Sequence, residues 1–199
     1  TRGQYDLGTL YSSIQNIVAD KLPTLPGIKK TKKRGDNDFT LQGNVYSTEI
    51  LQRIFGIQLD ISSPIHINGN LSEQNEELNL FVNAPLFSYN GKPFHNGNIE
   101  VTTQGKELCM DAHVCQRLSF EMAPEYALRA KACDNVLNTK VNYDSPSKKL
   151  PVKGFLDAET QFGKNEHGMT SINMNVKPSH IMLGDTRWDV ISSNINYVK

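Results

Sequence analysis

Leu108-Cys109-Met110-Asp111-Ala112-His113-Val114-Cys115 decides the fold, because every second residue is apolar and no helical stripe fits it. In an extended strand successive side chains point to opposite faces. Leu108, Met110, Ala112 and Val114 therefore share one face, and Cys109, Asp111, His113 and Cys115 share the other. A strand of this kind is greasy on one side and wet on the other, the signature of antiparallel sheet.

The same period runs outward in both directions. Upstream, Ile57, Leu59, Ile61, Ile65, Ile67 and Leu71 keep one parity, followed by Leu78, Leu80, Val82 and Ala84, then Ile99 and Val101. Downstream come Tyr126, Leu128, Ala130 and Ala132, then Val141 and Tyr143, then Val152, Gly154, Leu156 and Ala158. Ile172, Met174 and Val176, Ile181 and Leu183, Trp188 and Val190, and Ile195 and Tyr197 complete the series. Turn-forming segments separate the runs: Ser72–Glu76, Asn90-Gly91, Asn96-Gly97, Gln104–Lys106, Asp144–Ser147, Gly163–Glu166 and Gly184-Asp185. No helical pattern interrupts the strands after residue 57, so the runs read as a meander of hairpins rather than βαβ units.

The first part of the chain follows another period. Leu10, Ile14, Ile17, Val18 and Leu22 form one helical stripe, with Thr9 expected to cap its start and Pro23 to end it. This stripe is expected to pack on the sheet and cover one end of its apolar face. A basic run follows, Lys29, Lys30, Lys32, Lys33 and Arg34, read as a solvated loop. Phe39–Gln42 alternates like a strand, and a second short helix is expected at Thr48–Phe55. Residues 1–56 thus form a cap segment and residues 57–199 the long sheet, the two making one structural unit.

Composition narrows the function. The 21 basic and 21 acidic residues cancel, which argues against a nucleic-acid binder, whose affinity rests on phosphate contacts. No apolar run approaches the roughly 20 residues that span a bilayer. The chain opens without methionine and closes in a strand, so it reads as a piece of something longer. Three cysteines, Cys109, Cys115 and Cys133, do not make a disulfide scaffold, although one bridge from Cys133 stays open. Cys109 and Cys115 lie about 20 Å apart along one strand, at about 3.3 Å per residue, beyond the reach of a single tetrahedral ion. No metal, cofactor or catalytic residue is assigned. The histidines are scattered, and neither a nucleophile motif nor a phosphate-binding loop is present.

A sheet with one continuous apolar face hides it under a second sheet, by closing into a barrel, under helices, or against a ligand. Two short helices cover only a few strands. The residues expected to line an open apolar groove are Leu59, Ile61, Ile65, Ile67, Leu78, Leu80, Val82, Val101, Leu108, Met110, Val114, Leu128, Ile172, Met174 and Val176.

Four stretches resemble the TamB family of Gram-negative envelope proteins, within the wider AsmA-like group. They are Phe39–Gly43 with the helix after it, Ile65–Leu71 with Leu78-Asn79-Leu80, Pro85–Ile99, and Val176–Val190. The last contains Gly184-Asp185-Thr186-Arg187-Trp188 and is similar to a segment in the Bacteroidetes type. The resemblance spans about residues 39–199. It implies a β-taco, a long antiparallel sheet curled into a half-pipe with an apolar interior. It implies a non-enzymatic periplasmic protein that carries phospholipid acyl chains between membranes, or serves outer-membrane protein assembly with a TamA-like or BamA-like barrel. It implies an inner-membrane anchor outside this chain. The competing reading is a β-sandwich cell-surface module that binds glycans through Tyr89, Phe94 and Trp188. A hydrolase on a β-scaffold is a third reading.

Overall fold

The computed structural model describes residues 1–32, 35–49, 58–117, 123–147 and 150–198. Among the described residues the fold is mainly β, a single open antiparallel sheet with the helix Leu7–Lys21 near its start, as the alternation predicts. The strands are β1 (Arg2–Gln4), β2 (Asp38–Val45), β3 (Leu59–Ile61), β4 (Ile65–Ser72), β5 (Glu77–Tyr89), β6 (Lys92–Gln104), β7 (Glu107–Gln116), β8 (Glu125–Cys133), β9 (Val136–Ser145) and β10 (Val152–Lys164). They continue with β11 (Thr170–Val176), β12 (Ser179–Leu183), β13 (Thr186–Val190) and β14 (Ser193–Val198). The helix α1 spans Leu7–Lys21.

Neighbours in sequence are neighbours in space from β4 to β11, with β2 and then β1 added beside β4. β2 belongs to the same sheet as the strands after residue 57, so the boundary at residue 56 does not divide it. The far side forks. β10 pairs with β12 over Val152–Phe155 and with β11 over Ala158–Lys164. β14 then lies outside β11, and β13 outside β12. β1 and β14 end opposite edges of the path, so the sheet is not a closed barrel.

The hairpins turn where residues tolerate a left-handed backbone. Asn90 and Gly91 both have positive φ, 49° and 73°, the pattern of a two-residue turn whose twist matches the strands. Asp134 and Asn135, at 49° and 64°, make another such turn between β8 and β9. Asp and Asn are residues that accept this conformation, so Asp134-Asn135 is a turn signal beyond those named above.

Asn96-Gly97 is not the turn expected. It lies inside β6, where Asn96 has φ 54° and the β6–β7 register shifts between His95 and Asn98. An extra residue in one strand bends it and changes which face the following side chains take. β5 breaks its parity at Pro85, opposite the same point: Ala84 pairs with Gly97 and Leu86 with His95, with no pair between.

The helix begins earlier than expected. Asp6, not Thr9, caps it, its carboxylate accepting from the Gly8 N–H at 2.8 Å. An aspartate two residues before that donor satisfies one of the amides left free at a helix start. Thr9 is buried within the first turns. The helix stops at Leu22, just before Pro23, as expected. The helix expected at Thr48–Phe55 falls almost wholly outside the described residues, as do Ile57, Lys33 and Arg34. Of the basic run, Lys30 pairs with Asp20 of α1.

α1 lies across one end of the apolar face. Ile17, 2% exposed, packs with Leu71 and Leu78, and Leu10, Ile14, Phe39 and Val101 surround them. Further along, Leu22 packs with Ala132 and Phe162, bordered by Leu25, Leu108, Leu137 and Ile172. Full burial of a side chain such as Ile17 stabilises by about 1.5–3 kcal/mol.

Hydrogen bonds lock the helix in place. The fully buried Asn37 donates to Thr9 Oγ1 (3.1 Å) and Ser13 Oγ (2.9 Å) and accepts from the Asp6 N–H (2.7 Å). Glu73 Oε2 accepts from Ser13 Oγ, the Gly35 N–H and the Asn37 N–H, at 3.0, 3.1 and 3.3 Å. At the other end, the Asn135 N–H donates to the Lys21 carbonyl, and Asn135 Oδ1 accepts from the N–H and hydroxyl of Thr24.

Candidate functional site

In an antiparallel pair, residues directly opposite each other share a face. The register therefore assigns faces strand by strand. Ile67, Val82, Ile99, Ala112, Leu128, Val141 and Leu156 form one continuous row from β4 to β10. The next row runs Gly69, Leu80, Val101, Met110, Ala130, Thr139, Ala158 and Val176. Ile65 joins this face through Val45, Leu78 through Leu71, and Leu108 through Ala132. Ile172 and Met174 join it through Phe162 and Thr160. Leu59 and Ile61 lie opposite Tyr89 and Phe87.

The residues anticipated as a lining thus occupy one face but not one environment. Leu78, Val101, Leu108 and Ile172 meet the clusters under α1 and residues 22–25. Ile65 and Val176 are buried, and Leu59, Ile61, Ile67, Leu80, Met110 and Met174 are half-buried. Val82, Val114 and Leu128 line a hollow of about 330 Å³ on the half that no described helix covers. Its other walls are Ala84, Phe87, Tyr89, Phe94, Gly97, Ile99, Ala112 and Tyr126, with Asn98 and His113 at the margin.

The parity break builds this hollow. Continued alternation from Leu78 would send Phe87 to the polar face. After the break at Pro85 and Asn96, Phe87 and Phe94 both enter the hollow and stack with ring centroids 5.4 Å apart. Gly97 leaves room for them, since a Cβ there would sit 2.8 Å from Phe87 Cε1. Tyr126 and Tyr143 pair beside them at 5.1 Å. Burial first, then the neighbouring Tyr143, pushes the Tyr126 hydroxyl pKa up, and that hydroxyl donates to Gln116 Oε1 at 3.2 Å.

Among the described residues the apolar face stays exposed at the hollow and beyond it. Ile99 is 39% exposed, Leu156 44%, Ile195 54% and Trp188 61%. Exposed large apolar residues scattered singly are ordinary, but a contiguous set on one face marks an interaction surface. Trp188 lies opposite Ile181 on this face, at the outer strand β13. Tyr89 and Phe94 also belong to the apolar face, Tyr89 directly before the Asn90-Gly91 turn.

The opposite face is polar. A broader hollow there, about 560 Å³, contains Gln42, Asn68, Asn83, Asn98 and His66 around the exposed ring of Phe81. Arg129 pairs with Asp111 at 2.8 Å across this face, and Lys131 with Glu107 at 2.7 Å. Cys109, Cys115 and Cys133 are free thiols. Burial is the main cause raising the thiol pKa of all three; Glu125 also raises Cys115, and Asp134 also raises Cys133.

Among the described residues no helix is long and apolar enough to cross a membrane. No family model, no curated protein and no solved structure matches the chain.

Proposed function

We propose that the chain is a non-enzymatic segment of a TamB-like envelope protein whose apolar face carries phospholipid acyl chains between membranes. The observation that carries this reading is the hollow of about 330 Å³, walled almost entirely by aliphatic and aromatic side chains on the uncovered half of an open sheet. Its size is at the lower end of small-molecule sites, about 300–1,000 Å³, and its few polar margins suit an aliphatic guest. Fully sheltering an acyl chain of about 14 carbons is worth on the order of 10 kcal/mol at about 0.8 kcal/mol per methylene. A trough open on one side recovers part of that, which holds a chain yet lets it leave. Periplasmic location, an anchor elsewhere in the protein and an outer-membrane barrel partner belong to the same proposal, and rest on the resemblance of the four stretches.

The test places a photo-crosslinking residue at Ile99, on the apolar face, or at Glu100, its neighbour on the polar face. The protein is exposed to phosphatidylethanolamine and phosphatidylglycerol vesicles, irradiated and weighed by mass spectrometry. Lipid adducts at Ile99 and not at Glu100 support the reading. Absence of adducts at Ile99 overturns it.

A second reading has one observation in its favour, the amide-lined hollow around Phe81 on the polar face. Asn and Gln amides with an exposed ring are groups that recognise sugars. The β-sandwich scaffold of the competing reading is not what carries it, because all the described strands belong to one sheet. A glycan-array signal abolished by Phe81→Ala would favour it.

A further inference from the structure

The polar face carries a grouping that neither proposed reading uses. His113 and Cys115 are two residues apart on β7 and so share a face, and Glu125 on β8 lies directly opposite Cys115. Their side chains converge. Cys115 Sγ is 3.9 Å from His113 Nε2, which is 3.8 Å from Glu125 Oε2, and one donor atom of each lies within 4.8 Å of the other two.

We propose that His113, Cys115 and Glu125 bind a divalent transition-metal ion of the zinc class. Tetrahedral zinc has Zn–S near 2.3 Å and Zn–N or Zn–O near 2.0–2.2 Å, which puts its ligand atoms about 3.4–3.6 Å apart. The two separations from His113 Nε2 need a contraction of a few tenths of an ångström, and the sulfur–carboxylate separation, within 4.8 Å, up to about 1.2 Å. Half-exposed His113 and exposed Glu125 have the freedom to supply it, while Cys115 is held in place by burial.

The orientation of the imidazole is a second, independent observation. His113 Nδ1 faces the backbone carbonyl of Asn96 at 3.4 Å. A carbonyl only accepts, so Nδ1 is the donor in this contact. Fixing one ring nitrogen on a carbonyl is the usual way a metal-binding histidine is aimed. Here Nε2 points at a sulfur and a carboxylate. A sulfur, a ring nitrogen and a carboxylate oxygen thus meet at one point of the polar face.

The parity break described above makes this possible. Asn96 is its left-handed residue, and the break turns the Asn96 carbonyl toward His113. The same break puts His95 directly across from Cys115 on the same face. Cross-strand neighbours have Cβ atoms about 4.5–5.5 Å apart, so a rotation of the His95 side chain would bring it toward the group, whose converging donor atoms are those of His113, Cys115 and Glu125. The donor set of sulfur, imidazole and carboxylate matches zinc or cobalt, not calcium or magnesium. Cys109, the other cysteine of β7, stands across from Lys131 and lacks such company.

The test uses the full chain, stripped with a chelator and titrated with Co²⁺ and then Zn²⁺ under reducing conditions. The expected result is one ion per chain, with a thiolate-to-cobalt charge-transfer absorption that Zn²⁺ displaces. Cys115→Ser abolishes the absorption, whereas Cys109→Ser and Cys133→Ser keep it. Glu125→Gln, at an exposed position that folding tolerates, weakens binding by more than about tenfold, a scale on which even outer-shell changes act. Absence of the absorption at micromolar Co²⁺ in the folded wild-type chain overturns the proposal. So does its persistence in Cys115→Ser, or unchanged affinity in Glu125→Gln. Circular dichroism of each variant separates loss of a ligand from loss of the fold.

Discussion

Phe87 and Phe94 face each other across the β5–β6 hairpin with their planes only 15° apart. Both stand on the apolar face only because the two strands change parity together at Pro85 and Asn96. This pair is the inner wall of the uncovered hollow, and its strength is measurable. Aromatic pairs contribute about 0.5–1.5 kcal/mol beyond the area they bury. A double-mutant cycle of Phe87→Ala and Phe94→Ala in urea denaturation is expected to return a coupling energy in that range. A coupling near zero would mean that the stack is a contact without energetic content.

Ile99→Glu separates the binding role proposed for the hollow from its role in folding. Ile99 is 39% exposed, so the substitution is expected to change stability by no more than about 0.5–1 kcal/mol. A carboxylate in the middle of the hollow would nevertheless have to be desolvated by an apolar guest. Binding of a fluorescent fatty acid should fall at least about tenfold, since about 1.4 kcal/mol already gives that factor. Glu100→Gln on the other face should leave it unchanged.

Asn37→Ala tests how the helix is held. The substitution removes two donations, to Thr9 and Ser13, and the acceptor for the Asp6 N–H, all in a fully buried place. Leaving buried groups unpaired costs about 1–3 kcal/mol apiece, with partial relief as the site relaxes. A loss of about 2–4 kcal/mol in chemical denaturation is expected. The variant should also bind more of an apolar dye, because loosening α1 uncovers the Leu71–Leu78 end of the face.

The thiols give a pH dependence with a definite sign. Cys115 has its pKa raised above the ordinary 9.0, by burial first and then by Glu125. The folded state therefore prefers the protonated thiol. Its contribution to stability is complete below about pH 9 and is lost as pH rises through the folded value. In metal-free protein, denaturation midpoints should decline above that point, and less so in Cys115→Ala. Alkylation of Cys115 should be slow at neutral pH, since the thiolate is the reacting species.

Much of the fold could be read from the chain because a period of two is a local property. Leu108 to Val114 display it in seven residues, and the strand and both its faces follow. The stripe from Leu10 to Leu22 gave the helix and its seat on the sheet by the same logic. Other features depend on what lies across a strand. The change of face at Pro85 and Asn96 needs two strands to break step together, and Asn96-Gly97 alone looks like a hairpin turn. The signal was a proline inside an alternating run, since proline within a sheet belongs at edges and bulges. The approach of Glu125 to His113 and Cys115 is set by register, which depends on the length of the β7–β8 connection. Sequence spacing along β7 correctly separated Cys109 from Cys115 but could not supply a ligand from the next strand. The three-residue β1 has too little pattern to be seen before β2 provides its partner.

The fork at β10 gives the sheet a divided margin. Among the described residues, the β12–β13 hairpin pairs with β10 over the four residue pairs of Val152–Phe155, with one further bond from the Gly184 N–H to the Pro151 carbonyl, while β11 holds seven pairs. Where the branches part, the Lys177 N–H donates to the Asp157 carbonyl and the Ser179 hydroxyl accepts from the Asp157 N–H. The smaller branch can therefore detach while the larger stays zipped. Amide protons of Ile181 and Leu183 should exchange with solvent sooner than those of Ile172 and Met174. Trp188, carried on that branch, would swing with it, so its fluorescence would report the movement of a flap at the side of the trough.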